Sequence, residues 1–147
     1  MEVTAAAASA LRTAGYEERL KNRLHTTTQA FFITAENIER RHATTTTALF
    51  TEVPNMRVLS VGRRGPGADV FIRGGFNALF GITPRPGVLC NPAVFIDGVR
   101  APPDMSIDDL IQPGETKGIE AYPSANAAPP QYQRLNGGCA VVLIWQK

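Results

Sequence analysis

Residues 92–100 read PAVFIDGVR and decide the fold class of this chain. The first half of this stretch is an apolar run of β-branched and aromatic residues without alternation, which is typical of a strand covered on both faces. Asp97 and Gly98 follow. Because Gly accepts a positive φ and Asp can hydrogen-bond the local backbone, we expect a tight turn there. The stretch therefore predicts a core strand that ends at a short turn.

Further strands follow from segments with the same character. Residues 118–122 (GIEAY) and 137–145 (GGCAVVLIW) are apolar and rich in strand-forming residues, so they predict two more core strands. Residues 56–61 and 69–73 flank a Gly-rich and Arg-rich loop, which indicates an antiparallel hairpin. These segments favour an α+β domain with a mixed sheet of about four to five strands.

Two short helices are predicted in the first third of the chain. Thr34 is the expected N-cap of the first helix, because its hydroxyl can accept from the free amides of the first turn, and Ile33 and Ile38 occupy the positions of a hydrophobic staple. The second helix follows the threonine run at 44–47 and ends before Pro54, since the residue before proline avoids the α region. Its expected buried residues are Leu49, Phe50 and Val53.

Length and composition predict one domain with a short lead-in. We expect residues 1–28 to form a flexible or partly helical lead-in and residues 29–147 to form the domain, since Gly15 separates two segments of helix-forming composition. The first ten residues lack the basic start and the long apolar core of a secretory signal. No apolar run is long enough to span a membrane.

The residues that could carry chemistry do not form a recognisable catalytic or metal site. His25 and His42 have no spaced carboxylate or Cys partner, and Asp108, Asp109 and Glu115 predict a solvated loop rather than converging acids. The chain has no phosphate loop, dinucleotide fingerprint or nucleophile elbow. The net charge of +2 gives little attraction for nucleic acid. The sequence therefore predicts that the chain is not an enzyme. It also predicts no cofactor, no metal site and no nucleic-acid partner.

In this order, the segments resemble the plug domain of TonB-dependent outer-membrane receptors. No single segment is specific, but six of them in the same order are, and the resemblance covers about residues 30–147 without the barrel strands that the family places next. The matching pieces are a Thr-x-x-x-Ile-Glu helix at 34–39, a helix ending at Val53-Pro54, Arg73-Gly74 after a strand, FIDGV at 95–99, IE-x-Y at 119–122 and Gly137-Gly138 before the last strand.

The resemblance implies a fold, a function and two partners. The fold is a plug-like α+β domain with a mixed sheet, two short helices and long apical loops. The plug fills a transmembrane barrel, senses ligand and rearranges when TonB pulls on it, so the partners are its own barrel, if encoded downstream, and TonB. The location is the periplasmic side of the outer membrane. The alternative is a free-standing periplasmic binding module that has the plug fold without a barrel.

The resemblance also implies a barrel interface and a set of apical loops. Arg73 is the implied interface arginine, although a surface salt bridge within the domain is an alternative from the residues alone. The implied interface comprises Arg73, Gly74, Gly75, Phe76 and Asn77. The implied apical-loop residues are Tyr122, Pro123, Ser124 and Tyr132. Here the chain departs from the family, which places a basic residue and a Gly after the Ile-Glu strand, and this departure puts the usual docking geometry in doubt.

Cys90 and Cys139 stand at the entrances of two of the predicted core strands. Neither belongs to a closely spaced Cys or His pair, so the usual signature of a zinc site is missing. In an oxidising compartment they would pair, and closing a loop of about fifty residues would stabilise the fold by about 4 kcal/mol on the chain-entropy model. The alternative is two buried free thiols. The resemblance implies an exported protein and favours the disulfide.

Overall fold

The computed structural model describes residues 15–22, 30–53, 56–61, 69–74, 92–102, 105–122, 127–133 and 140–147. Within these ranges the strands are β1 (Phe31–Ile33), β2 (Met56–Val61), β3 (Asp69–Gly74), β4 (Ala93–Ile96), β5 (Val99–Arg100), β6 (Thr116–Tyr122) and β7 (Val141–Gln146). The α-helices are α1 over 15–22, α2 (Ala35–Arg41) and α3 (Ile107–Leu110). Short 3₁₀ helices cover Thr47–Glu52, Pro113–Glu115 and Pro130–Tyr132.

The main sheet is mixed and has five strands in the order β1-β6-β7-β4-β5. Strand β4 runs parallel to β7, while the β1–β6, β6–β7 and β4–β5 pairs are antiparallel. Strands β2 and β3 form a separate antiparallel pair. The predicted mixed sheet and the predicted hairpin are therefore both confirmed.

The central strands β6 and β7 are covered on both faces. Residues 141–145 of β7 are all buried, which explains why this run shows no polar alternation. On one face, apolar residues of α2, α3 and the first 3₁₀ helix pack against the sheet, among them Ile38, Phe50 and Ile107. On the other face lies a second cluster, whose buried residues are Tyr16, Ala93, Phe95, Tyr122, Ala128, Val141, Leu143 and Trp145.

Thr34 caps α2 as predicted. Its side chain accepts from the amide of Asn37, and the Asn37 side chain accepts from the Thr34 amide, so the two residues form a capping box. The next predicted helix is a 3₁₀ helix rather than an α-helix, and no threonine side chain caps it. The Thr46 hydroxyl donates instead to the carbonyl of Ile111, 2.6 Å away, because that buried carbonyl offers a tertiary partner.

Asp97 and Gly98 form the predicted two-residue turn. Both have positive φ, at 51° and 84°, which is the geometry of a tight hairpin between β4 and β5. The Asp97 side chain does not bond the local backbone, however. Its Oδ1 accepts from the amide of Gln146 at 2.9 Å, so the turn is tied to the end of β7.

The prediction of a solvated loop at Asp108 and Asp109 is wrong for Asp108. Ser106 caps the single turn of α3, since its hydroxyl accepts from the amide of Asp108. Asp108 is not a solvated acid, since its carboxylate accepts from the amide of Thr47 at 2.8 Å and from the Thr47 hydroxyl at 2.7 Å. Asp109 is exposed. Asp108 therefore joins α3 to the start of the 3₁₀ helix Thr47–Glu52.

Candidate functional site

A buried carboxylate lies on an inner strand of the main sheet. Glu120 of β6 has no exposed surface, although its strand neighbours Ile119 and Ala121 are apolar. Alternation along the strand turns those two neighbours into the cluster on the α2 side and turns Glu120 toward the face that carries α1. A carboxylate without partners in such a place would carry a large desolvation cost, so its hydrogen bonds decide whether it is tolerated.

Four donors surround Glu120. Arg19 of α1 donates from Nε to Oε1 at 2.6 Å and from a terminal nitrogen to Oε2 at 2.8 Å, which is the two-point pairing that a planar guanidinium favours. The Tyr122 hydroxyl donates to Oε1 at 2.7 Å, and the Trp145 indole donates to Oε2 at 2.7 Å. Each carboxylate oxygen thus accepts two hydrogen bonds. In the described part of the chain, every buried side-chain polar atom has a partner.

The cluster fixes the charge states of two donors. Burial alone would lower the pKa of Arg19, but its hydrogen bond to Glu120 and the negative charge there outweigh this effect and raise the pKa. Burial raises the pKa of Tyr122, and the charge of Glu120 and its hydrogen bond raise it further. Arg19 therefore stays cationic and Tyr122 stays a neutral donor.

Helix α1 lies against this face of the sheet through one stripe of residues. Tyr16 is 2% exposed, and Arg19 and Leu20 follow at the helical spacing that places them on the same side. The ring of Tyr16 lies over Gly118, where a Cβ atom would collide with it. Lys117 of the same strand forms an ion pair with Glu17 at 2.9 Å. The sheet therefore has a recess shaped for this helix.

Two open cavities border the attachment of α1. One, of about 450 Å³, is lined by Arg19, Tyr122 and Phe32 together with residues of the 127–130 segment. The other, of about 770 Å³, lies between α1, β1 and α2. No group of acids, histidines or cysteines within the described ranges could hold a metal ion. All the lone pairs of the Glu120 carboxylate already accept hydrogen bonds, two of them from the Arg19 guanidinium. The chemistry that the cluster supports is therefore recognition of a guanidinium group.

The predicted interface residues are only partly described. Arg73 and Gly74 are the last two residues of β3, and Arg73 is the register partner of Arg57 on β2. The remaining three, Gly75, Phe76 and Asn77, lie outside the described residues. Cys90 and Cys139 also lie outside them, so the disulfide stays a prediction.

The apical-loop prediction is wrong for Tyr122. This residue is the last of β6 and is 2% exposed, because its hydroxyl has a buried acceptor in Glu120. Pro123 and Ser124 lie outside the described residues. Tyr132 belongs to a 3₁₀ turn and is half-buried, with its ring centroid 5.0 Å from that of Phe95. Of the two described residues, Tyr122 thus lies in the core and Tyr132 is half-buried beside Phe95.

Arg19, Glu120 and Trp145 were not predicted to form one cluster. A glutamate inside an otherwise apolar segment, GIEAY, was the available signal, because a buried acid requires donors. The division at residue 28 stays a prediction. The helical part of the lead-in, at 15–22, contacts the sheet through Tyr16 and Arg19.

Comparison with known proteins agrees with this architecture. The family model described as TonB-dependent Receptor Plug Domain matches residues 22–138. A solved structure titled "Structure of the RagAB peptide importer in the 'open-open' state" is similar over 83% of this chain, with 14% sequence identity and a TM-score of 0.50, and the match spans 13% of that chain. No curated protein matches. The predicted plug-like α+β fold is confirmed.

Proposed function

This chain belongs to the family of TonB-dependent receptor plug domains, and we propose that it acts as the plug that opens and closes the lumen of an outer-membrane transport barrel. The observation that carries this proposal is the family match over residues 22–138. Plug domains are components of transport proteins. The proposed activity is therefore gating and ligand sensing, in which no covalent bond is made or broken.

The barrel-docking surface is proposed to be the end of β3 and the residues after it. Arg73 and Gly74 are the last residues of β3, in a hairpin that is separate from the main sheet, and the family match supports a role for them at the barrel wall. Arg57 is the register partner of Arg73 on the neighbouring strand. An arginine at this position favours an acidic partner on the barrel.

Ligand sensing is proposed for the segment after β6. Pro123 and Ser124 follow directly on the buried Tyr122, so a ligand that displaced them would act on a strand of the core. Tyr132 supports this assignment, because its ring contact with Phe95 links the same segment to β4. The ligand site would then be built from this segment and the barrel together.

The proposed location is the periplasmic side of the outer membrane, with TonB acting on the N-terminal part of the chain. Helix α1 contacts the central strands through Arg19 and Glu120, which gives a force on this part of the chain a direct connection to the sheet. No helix in the described ranges is long and apolar enough to cross a membrane.

The test is reconstitution of plug and barrel. The barrel, if the gene encodes one, is expressed as a separate polypeptide, and its affinity for the chain is measured. We expect specific binding, and we expect Arg73→Ala to weaken it by about 2 kcal/mol or more, roughly thirtyfold, as for one partner of a desolvated charge pair. Arg40→Ala is the matched control, because Arg40 is an exposed helical arginine. A barrel that does not bind the wild-type chain would favour the free-standing module.

A further inference from the structure

We propose that Glu120, Tyr122 and Trp145 form an arginine socket, a guanidinium-specific binding site on the sheet that Arg19 occupies and that attaches α1 to the domain. Its three residues belong to β6 and β7, two neighbouring inner strands of the sheet. The guanidinium comes from α1, which is not part of the sheet. The socket lies wholly within this chain, so its occupancy can be tested without a barrel.

The sheet itself supplies two of the donors that hold the Glu120 carboxylate. Tyr122 and Trp145 donate to different oxygens of Glu120, each at 2.7 Å, and thereby fix the plane of the carboxylate. One acceptor position then remains on each oxygen, and the two together match the paired N–H groups of a planar guanidinium. An ammonium group is a compact point charge without this fork, so the arrangement selects arginine over lysine. Such preorganisation is what distinguishes a binding site from an incidental ion pair.

The socket can be reached from solvent on the side where Arg19 lies. The Glu120 side chain is fully buried, whereas the Arg19 side chain is 25% exposed. The cavity of about 450 Å³ is lined by both Arg19 and Tyr122. A small guanidinium compound could therefore enter once the Arg19 side chain is removed, without separation of the strands.

An empty socket would leave a buried carboxylate without a cation. Such a group is strongly unfavourable, so loss of Arg19 favours either hydration of the site or capture of another guanidinium. The attachment of α1 therefore depends on occupancy of this site by Arg19. An arginine-bearing peptide would compete with α1 for the same position, and this competition defines the ligand class as alkylguanidinium groups.

The test uses Arg19→Ala and the intrinsic fluorescence of Trp145, which is the one tryptophan of the chain. Its indole is part of the socket and donates to Glu120, so its emission reports on occupancy. Titration of Arg19→Ala with methylguanidinium chloride, at concentrations far below those that denature, is expected to change the emission saturably and to raise the melting temperature. Methylammonium chloride at the same concentrations is expected to produce neither change.

Two control variants make the outcome decisive. Arg40→Ala removes an exposed arginine elsewhere and should show no response to methylguanidinium. Glu120→Gln in the Arg19→Ala background removes the negative charge of the socket and should abolish the saturable response. A folded Arg19→Ala variant that does not respond would overturn the proposal. If Arg19→Ala is unfolded, restoration of the fold by methylguanidinium supports the socket, and failure to restore it overturns the socket.

Discussion

The Trp145 indole donates a hydrogen bond of 2.7 Å to Glu120, although the two residues lie 25 positions apart on neighbouring strands. Both are buried, at 4% and 0% exposure, so the bond forms where water cannot compete. Since Arg19 joins the same carboxylate from α1, this contact ties a segment near the start of the chain to its last strand. The stability of the whole domain should therefore be sensitive to substitution of Glu120.

Glu120→Gln is expected to destabilise the fold by about 3 kcal/mol. Removing one partner of a buried ion pair leaves the other uncompensated, and the value lies at the low end of the usual range because Arg19 is partly exposed. Urea unfolding followed by circular dichroism measures the change. Glu39→Gln, at an exposed position of α2, serves as the control and should change stability by less than about 0.5 kcal/mol. Equal effects of the two variants would contradict the central role of Glu120.

Gly118→Ala is expected to displace Tyr16 and loosen α1. A Cβ at this position would collide with the Tyr16 ring, so overpacking should cost about 1–3 kcal/mol. Hydrogen exchange should increase over residues 15–22 more than over β7. Gly114→Ala is a matched control, because a Cβ there would meet no atom within 4 Å. If both variants left the exchange of α1 unchanged, the recess at Gly118 would not position the helix.

Tyr122→Phe is expected to lower stability at neutral pH and to flatten its alkaline dependence. The lost hydrogen bond to a charged acceptor should cost about 1.5–3 kcal/mol. Burial, and then Glu120, raise the pKa of Tyr122, so the folded state keeps a proton that the unfolded state releases above about pH 10. This contribution to stability is complete below that pH and is lost as the pH rises further.

The measurement for Tyr122 is the urea midpoint between about pH 8 and about pH 11, a range that spans the ordinary tyrosine pKa. The wild-type chain should lose stability across the upper part of this range, and Tyr122→Phe should lose less. A Tyr122→Phe slope as steep as that of the wild type would count against a raised pKa.

Cys90 and Cys139 are expected to form a disulfide in the oxidised chain. The parallel register pairs Ala93 with Val141, and the two cysteines precede these partners by three and two positions, so the chain enters both strands from the same end of the sheet. Mass spectrometry of the unreduced chain should detect the bridge. Reduction should then lower stability by about 4 kcal/mol. Quantitative alkylation of both thiols without reductant would disprove the pairing.

Rules that depend on neighbouring residues in the sequence predicted several elements of the fold correctly. Thr34 begins α2 and the Asp97-Gly98 turn ends β4, because caps and positive-φ turns depend on a few adjacent residues. Local rules failed for Asp108 and Tyr122, which the sequence assigned to solvated or apical loops. Each of these residues has a buried partner, and proximity in space, rather than spacing in sequence, supplied it.

The sequence by itself determined the core strands, their turn and the family resemblance, because apolar runs, caps and glycine positions act within short windows. Only the tertiary structure decided that Glu120 would be a buried acceptor rather than a strand residue of no special role. Its donors come from α1, β6 and β7, and they converge through the β6–β7 register and the seating of Tyr16 over Gly118. A buried charge is tolerated only where its donors meet, and that meeting point exists only once the chain has folded.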